Sequence, residues 1–346
     1  MTLLYFVFVL GVVVCIHEFG HFLFAKRAGI YVYEFSIGMG PQLWKWNRKN
    51  DETTYSIRLF PIGGYVKMAG EEVELDRDIP ENRRMQSKTW LQKFLTIVAG
   101  IVFNFLLAIV IFFIVALIAG APRTDPYIAE VEKGFPSYES HLQKGDKIIK
   151  VDGNKVLSLD HFLVEFQVRL GEKITFQVVH KNGSKEDITL SPVKKVVDLE
   201  EVYQYGFSLD NTRSHGILAA FQYAFTKTAT LIHQMVLIIL YLITGKMSLN
   251  SLAGPIGIFN VVGESAKAGF INVIYLIGFL SVNVGFINLL PIPAFDGGRL
   301  LFLFIEKITG KPIKPEIENT IHAVGFILLM ILMVVITWND IIRLFG

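Results

Sequence analysis

The stretch TLLYFVFVLGVVVCIHEFGHFLFAKR, residues 2–27, decides the fold, because it places the motif His17-Glu-Phe-Gly-His21 inside a hydrophobic run. The apolar part, residues 3–23, is close to the ~20 residues that a helix needs to cross a bilayer. Two imidazoles four positions apart lie on one face of a helix and can hold one Zn²⁺, and Glu18 beside them can act as a base on water at the metal. Ionisable side chains are costly in a membrane helix, so the pattern predicts a functional site rather than polar residues satisfied by neighbouring helices.

The composition indicates a membrane protein with a soluble insert. Of the 346 residues, 52% are hydrophobic and 18% are charged, whereas soluble proteins have about 25% charged residues. Strongly apolar segments occur at residues 3–23, 94–120, 271–290 and 321–337. They predict a multi-pass α-helical membrane protein with four transmembrane helices and the lipid bilayer as a partner. The formal net charge of +2 gives no reason to expect a nucleic acid partner.

A fifth apolar segment, residues 217–243, is ambiguous. It carries Lys227 and His233, and a lysine at mid-bilayer costs about 2.5–3.5 kcal/mol on insertion scales. We therefore expect this segment to be interfacial or re-entrant, despite its hydropathy.

The loop between the first two apolar segments contains strand-like pieces at residues 53–60 and 63–68, joined by Pro61-Ile62-Gly63-Gly64. Alternation on both sides of a Pro-Gly turn predicts a β-hairpin over residues 53–68. Basic residues flank this loop at Lys26, Arg27, Lys88 and Lys93, and others lie between the last two spans. The positive-inside rule then predicts that the hairpin is cytosolic.

Residues 122–210 have the composition of a small soluble α+β domain. Asn182-Gly183 between two alternating runs predicts a hairpin with a type I′ turn. The text LQKGDKIIKVDGNKV, residues 142–156, resembles the core of a bacterial PDZ domain. The insert is therefore expected to be an extracytoplasmic PDZ domain.

Zinc catalysis needs a third protein ligand and an open position for water. The best candidate is Asp296 in NLLPIPAFDGGR, residues 288–299, because the two prolines break a helix and the two glycines after the aspartate let the backbone turn sharply. The alternative is an exposed aspartate in an ordinary interfacial loop.

HExxH together with a later Asp-Gly resembles the site-2 protease family of intramembrane zinc metalloproteases, most closely the RseP-type branch with one PDZ domain. The resemblance implies zinc ligands at His17, His21 and Asp296 and a catalytic Glu18. Phe295 stands where the family has a leucine. The resemblance also implies a substrate-binding role for two asparagines of the preceding span, Asn283 and Asn288.

The family further implies a place in the cell and a class of substrate. We expect an enzyme of the bacterial cytoplasmic membrane, with its active site near the cytosolic side. Its expected partners are transmembrane proteins of the anti-sigma factor type and signal peptide remnants, after an upstream site-1 type protease has cut first. Two alternatives stay open: a membrane-tethered metallopeptidase that cuts juxtamembrane loops, and a non-enzymatic PDZ scaffold.

Depth in the membrane links the motifs. At ~1.5 Å per residue, His17 lies roughly 21 Å into its span and Asn288 roughly 27 Å into its own, so the two helices must run the same way for Asp296 to reach the zinc. The expected organisation is a membrane part at residues 1–121, the PDZ domain at 122–210, an interfacial region at 211–269 and a C-terminal membrane part at 270–346. Asn104, in the second span, can serve packing or catalysis, and packing is favoured.

Overall fold

The computed structural model describes residues 1–70, 78–197, 200–311 and 313–345. It divides into two compact units, one made of residues 1–111 and 249–346 and the other of residues 112–248.

Helices dominate the chain. In order they are α1 (Thr2–Arg27), α2 (Trp90–Ala119), α3 (Pro136–Glu139), α4 (Leu159–Val168), α5 (Ile217–Ile243), α6 (Pro255–Lys267), α7 (Phe270–Leu289), α8 (Asp296–Thr309) and α9 (Pro315–Phe345). Five of them, α1, α2, α5, α7 and α9, are long and apolar enough to cross a membrane. The architecture fits a multi-pass membrane protein, as the composition predicts. Helix α8 is amphipathic and was not predicted from the sequence.

The first unit is built around α1, which packs against α6 and α7. Their shared core consists of fully or nearly fully buried aliphatic side chains, namely Val9, Val13, Val262, Val273 and Ile277. On another side of α1, Gly20 lies against α2 so closely that an added Cβ would be 2.5 Å from the carbonyl oxygen of Ala99. A glycine at this position therefore permits the two backbones to approach.

Two long strands follow α1 and form an antiparallel hairpin, β1 (Val32–Asn47) and β2 (Thr54–Met68). The predicted reversal between residues 57 and 64 is present, because residues 54–57 pair with residues 34–37 in ascending order and residues 64–67 pair with them in descending order. The predicted hairpin is wrong about the pairing, because its two pieces pair with residues 34–37 and not with each other. A further reversal lies near Asn50, whose φ is 63° and which precedes the bond from Asp51 N to Arg48 O of 3.1 Å. Asparagine tolerates this left-handed conformation, and Gly63, with φ 97°, lies in the reversal between residues 57 and 64.

Because of this reversal, one segment of β1 has a paired segment of β2 on each side. Residues 34–37 of β1 pair with residues 64–67 of β2 on one side and with residues 54–57 on the other. The first pairing leaves residues 64–66 at an edge, and among the described residues no other strand is paired with these three.

The second unit contains the small strands. They are β3 (Ala121–Pro122), β4 (Ile128–Val131), β5 (Lys147–Val151), β6 (Asn154–Lys155), β7 (Ile174–Val179), β8 (Lys185–Leu190), β9 (Val193–Val197), β10 (Glu200–Gln204), β11 (Phe207–Leu209) and β12 (Arg213–Ser214). A four-stranded sheet has the order β6-β5-β7-β8. Its apolar face packs on Phe162 of α4, which is 1% exposed.

The predicted hairpin of this unit is present, but its turn is wider than type I′. Strands β7 and β8 are antiparallel neighbours, and the loop between them is closed by a bond from His180 N to Ser184 O of 2.9 Å. Of the two central residues, Gly183 has a positive φ of 86° and Asn182 does not. A type I′ turn requires a positive φ at both positions.

Helix α5 belongs to the same unit and packs on α4 through polar contacts. Lys227 Nζ lies 2.6 Å from Asp160 Oδ1, and Thr230 donates to Asp160 Oδ2 at 2.6 Å. Farther along the helix, the hydroxyl of Tyr241 donates to Glu165. These contacts give the polar side chains of α5 partners within the protein.

Candidate metal site

His17 and His21 lie one turn apart on the buried face of α1. The two side chains are 7% and 8% exposed, and their Nε2 atoms are 3.2 Å apart. This is the arrangement that i, i+4 spacing on a helix dictates. Both imidazoles therefore direct the same nitrogen to one point.

The carboxylate that meets them comes from the start of α8. Between α7 and α8 the chain turns through residues 290–295, where Ala294 adopts φ 89°. The expectation that the two glycines after Asp296 form the turn is wrong. Gly297 and Gly298 belong to the first turn of α8, where an added Cβ would lie 2.1 Å from Leu290 O and 2.7 Å from Ile292 O, respectively. They are needed for close packing of the helix against the preceding loop.

The structure brings the three predicted ligands together. Asp296 Oδ2 lies 3.1 Å from His17 Nε2 and 3.2 Å from His21 Nε2. Atoms about 2.0–2.1 Å from a tetrahedral Zn²⁺ are expected to be about 3.3 Å apart, so the spacing fits a zinc ion. Asp296 Oδ2 is buried and, although near both imidazoles, makes no hydrogen bond of acceptable geometry among the described residues. A metal ion would satisfy this oxygen.

Helix α2 supplies the surroundings of the two imidazoles. His21 Nδ1 lies 2.9 Å from the carbonyl oxygen of Thr96, which can only accept, so Nδ1 carries the proton and Nε2 is left with its lone pair. Gly100 makes room for both rings, because an added Cβ would lie 2.3 Å from His21 Nε2 and 2.8 Å from His17 Cε1. Thr96 and Gly100 were not predicted from the sequence, since only the helix crossing brings them to the site.

A cavity of about 940 Å³ opens beside these ligands. Its lining includes Glu18, Asn288 and Tyr65 as well as the three ligand residues. Glu18 also faces the hairpin, since an added Cβ on Gly64 would be 3.7 Å from its Cγ. The candidate base, the candidate ligands and the edge of β2 therefore share one space.

The two predicted substrate-binding asparagines differ in position. Both side-chain amides donate to backbone carbonyls one turn earlier in α7, Asn283 to Phe279 at 2.9 Å and Asn288 to Val284 at 3.0 Å. Only Asn288 is among the described residues that line the cavity. The structure thus brings Asn288 to the site and does not bring Asn283 there.

Comparison with known proteins agrees with the motif and the geometry. The profile of peptidase family M50 matches residues 5–332. The chain is 32% identical to a zinc metalloprotease RasP of Oceanobacillus iheyensis, with 99% of each chain covered. It is 33% identical to the regulator of sigma-W protease RasP of Bacillus subtilis and 35% identical to a putative zinc metalloprotease of Clostridium perfringens, again with 99% of each chain covered. The chain therefore belongs to peptidase family M50, the site-2 protease group of zinc metalloproteases.

Proposed function

We propose that this protein is an intramembrane endopeptidase that cuts single-span membrane proteins, with zinc held by His17, His21 and Asp296 and with Glu18 as the general base. The observation that carries the proposal is the convergence of three buried ligand atoms within 3.1–3.2 Å of one another, two of them from a helix long enough to cross a membrane. Three protein ligands leave a tetrahedral ion one open position, which is typical of catalytic sites.

The residues of the site have different roles in peptide hydrolysis. When bound, zinc lowers the pKa of water toward ~7 and polarises the scissile carbonyl. Glu18 takes the proton of the attacking water and passes it to the leaving amine. The carbonyl of Thr96 holds His21 in the tautomer that a ligand needs. Charged side chains of Lys93, Arg299 and Glu306 line the same cavity and provide a polar path for water.

Substrate capture is assigned to the hairpin and to α7. A transmembrane helix pairs all of its own backbone groups, so it must unwind locally before it can be cut. The edge of β2 at residues 64–66 lies beside Glu18 and can bind the unwound segment as an added strand. Asn288 supports this step through Oδ1, which can accept a substrate N–H while Nδ2 stays bonded to Val284. We assign the same role to Asn283 only if the helix moves. The ordinary alternative is that the hairpin is a structural cap.

The proposed topology places the hairpin and the active site at the cytosolic side. The hairpin exposes large hydrophobic side chains, namely Met39, Leu43, Trp44 and Phe60, which suits association with a membrane. Basic side chains of Lys93, Arg299 and Lys314 line the cavity, in agreement with the positive-inside rule. Residues 1–121 and 270–346 then form the membrane parts, and residues 122–210 form an extracytoplasmic PDZ domain that either excludes bulky substrates or binds a new C-terminus.

Helix α5 is proposed to lie at the interface, within residues 211–269, which leaves four transmembrane helices. The contacts with α4 support this, because Lys227 is paired with Asp160 and its side chain is 13% exposed. An ionic pair with a residue of the same soluble insert favours a position of this stretch of α5 outside the hydrocarbon core, because charged groups are costly there. Cysteine accessibility along α5 in intact cells or vesicles would test the proposal, and protection over a continuous ~20-residue stretch would contradict it.

The proposed substrates are membrane-bound anti-sigma factors and signal peptide remnants in the bacterial cytoplasmic membrane, after an upstream site-1 type protease has removed their outer part. The Bacillus subtilis relative is named a regulator of sigma-W protease, which supports the first class.

The test uses the purified protein and a trimmed single-span substrate. Glu18→Gln should reduce cleavage by at least about 10²-fold and leave one zinc per chain, because a general base contributes about 10²–10⁴-fold. His21→Ala is the matched control and should lose both zinc and cleavage. Unchanged cleavage by Glu18→Gln would exclude Glu18 as the base.

Two other functions are distinguished by the same reagents. Mass spectrometry of the products locates the cut bond, and a cut only in the flanking loop would favour a membrane-tethered peptidase. A protein that binds zinc and trimmed substrates yet cuts none of them would favour the non-enzymatic scaffold.

A further inference from the structure

Asn104 on α2 is buried next to the site and was assigned to packing from the sequence. Its side chain is 0% exposed, and its Nδ2 lies 3.2 Å from Nδ1 of His17. Its Oδ1 is buried and has no hydrogen-bond partner among the described residues. Packing alone does not account for an amide here, because a buried polar atom without a partner costs about 1–3 kcal/mol and an aliphatic side chain of similar size would avoid that cost.

The chemistry of a metal-bound imidazole explains the amide. A neutral imidazole that gives the lone pair of Nε2 to a metal carries its proton on Nδ1, which then acts as a donor. The Nδ2 group of Asn104 is also a donor, so the two N–H groups would oppose each other. A half-turn of the amide exchanges Nδ2 and Oδ1, after which Oδ1 accepts the proton of His17 Nδ1. The exchange breaks no other hydrogen bond, since Oδ1 has no partner among the described residues.

Contacts with α7 fix the backbone of Asn104 beside His17. Ser281 Oγ donates to the carbonyl oxygen of Asn104 at 2.8 Å. Gly285 lies across the helix crossing, where an added Cβ would be 3.2 Å from Asn104 Cβ. The side chain is therefore fixed on the side of the ring that faces away from the ligand cluster.

We propose that Asn104 is a positioning residue for zinc, which accepts a hydrogen bond from His17 Nδ1 as the carbonyl of Thr96 does from His21. The inference rests on the proposed function, since it requires Nε2 of His17 to be a ligand. The two imidazoles are then held in their ligand tautomers by two acceptors on one helix, eight residues apart. Outer acceptors of this kind contribute about 10–100-fold to metal affinity.

The experiment measures the dissociation constant of zinc by competition with a chelating dye, on full-length protein in detergent. Asn104→Leu removes the acceptor and should weaken zinc binding by about 10–100-fold. Asn104→Asp supplies an acceptor and no amide donor, so it should keep the affinity within a few-fold of the wild type. Thr228→Ala in α5 is the control, because it removes a buried hydrogen bond, from Thr228 Oγ1 to Ala224 O, that involves neither an imidazole nor Asn104, and its zinc affinity should be unchanged.

Circular dichroism of the metal-free variants reports whether they fold. If Asn104→Leu is unfolded, the zinc affinity of Asn104→Asp decides the test. The inference is overturned if the leucine variant binds zinc with wild-type affinity. It is also overturned if the aspartate variant loses as much affinity as a folded leucine variant, or more than 10-fold. His17→Ala distinguishes a failure of the proposed ligand set from a failure of the role proposed for Asn104. Wild-type zinc affinity in that variant would refute the proposed ligand set itself, whereas loss in His17→Ala with retention in Asn104→Leu refutes only the role of Asn104.

Discussion

The contact between Gly100 and the two imidazoles predicts that Gly100→Ala damages metal binding without damaging the fold. The added Cβ would be 2.3 Å from His21 Nε2 and 2.7 Å from His21 Cε1, whereas ordinary carbon contacts are about 3.5–4.0 Å. The ring must therefore move by about 1 Å. Metal–ligand distances tolerate only about ±0.2 Å, so the moved ring cannot keep its place in the ligand set.

The magnitude follows from the cost of overpacking, which is about 1–3 kcal/mol. A metal-free protein can avoid this cost by turning the imidazoles away, but a zinc-bound protein cannot. The cost should therefore appear in the zinc dissociation constant, as a loss of about 5- to 150-fold, since 1.4 kcal/mol is tenfold. In the metal-free state, alanine should stabilise the helix by about 0.5–1 kcal/mol relative to glycine.

The assay is zinc binding and thermal unfolding of the metal-free protein in the same detergent. Gly263→Ala in α6 is the matched control, because its nearest neighbour is the end of the Thr2 side chain at 3.1 Å, which can move. Its zinc affinity should equal that of the wild type. If Gly100→Ala also binds zinc with wild-type affinity, the crowding of the imidazoles by α2 is refuted.

Three further predictions concern other parts of the chain. Asp340 is 4% exposed and accepts hydrogen bonds from two backbone N–H groups at the start of α6. In thermal unfolding, Asp340→Ala should lower the free energy of unfolding by about 1–3 kcal/mol for each donor that loses its acceptor, and Asp340→Asn should lower it by less. A hydrogen bond with Asp146, aided by Glu186, raises the pKa of His180 above its usual 6.5. The resulting stabilisation is complete below pH 6.5 and is lost as pH rises through the raised pKa. As pH becomes alkaline, hydrogen exchange in β7 should therefore accelerate more in the wild type than in His180→Gln. Chelation of zinc should lower the unfolding midpoint, and added zinc should restore it; a midpoint that does not respond to zinc contradicts the ligand set.

The candidate ligands were predictable because the chemistry is local in the sequence. The spacing of His17 and His21 is read directly from helix periodicity, and a carboxylate after a proline-interrupted span is a recognisable third ligand. The hairpin in the first loop was predictable only in kind. Its reversal at the Pro-Gly segment was predicted correctly, yet the two pieces pair with residues 34–37 and not with each other, and a further reversal falls at Asn50.

The sequence by itself determined a membrane-embedded chain with a zinc motif and a candidate third ligand, since hydropathy and residue spacing are properties of the chain alone. Only the tertiary structure decided what surrounds the site. Thr96, Gly100 and Asn104 meet the two imidazoles through the crossing of α2 with α1, and residues 64–66 reach Glu18 after a chain reversal within β2. Such contacts depend on distances between helices and strands far apart in sequence, and these distances are set by packing, which no local pattern records.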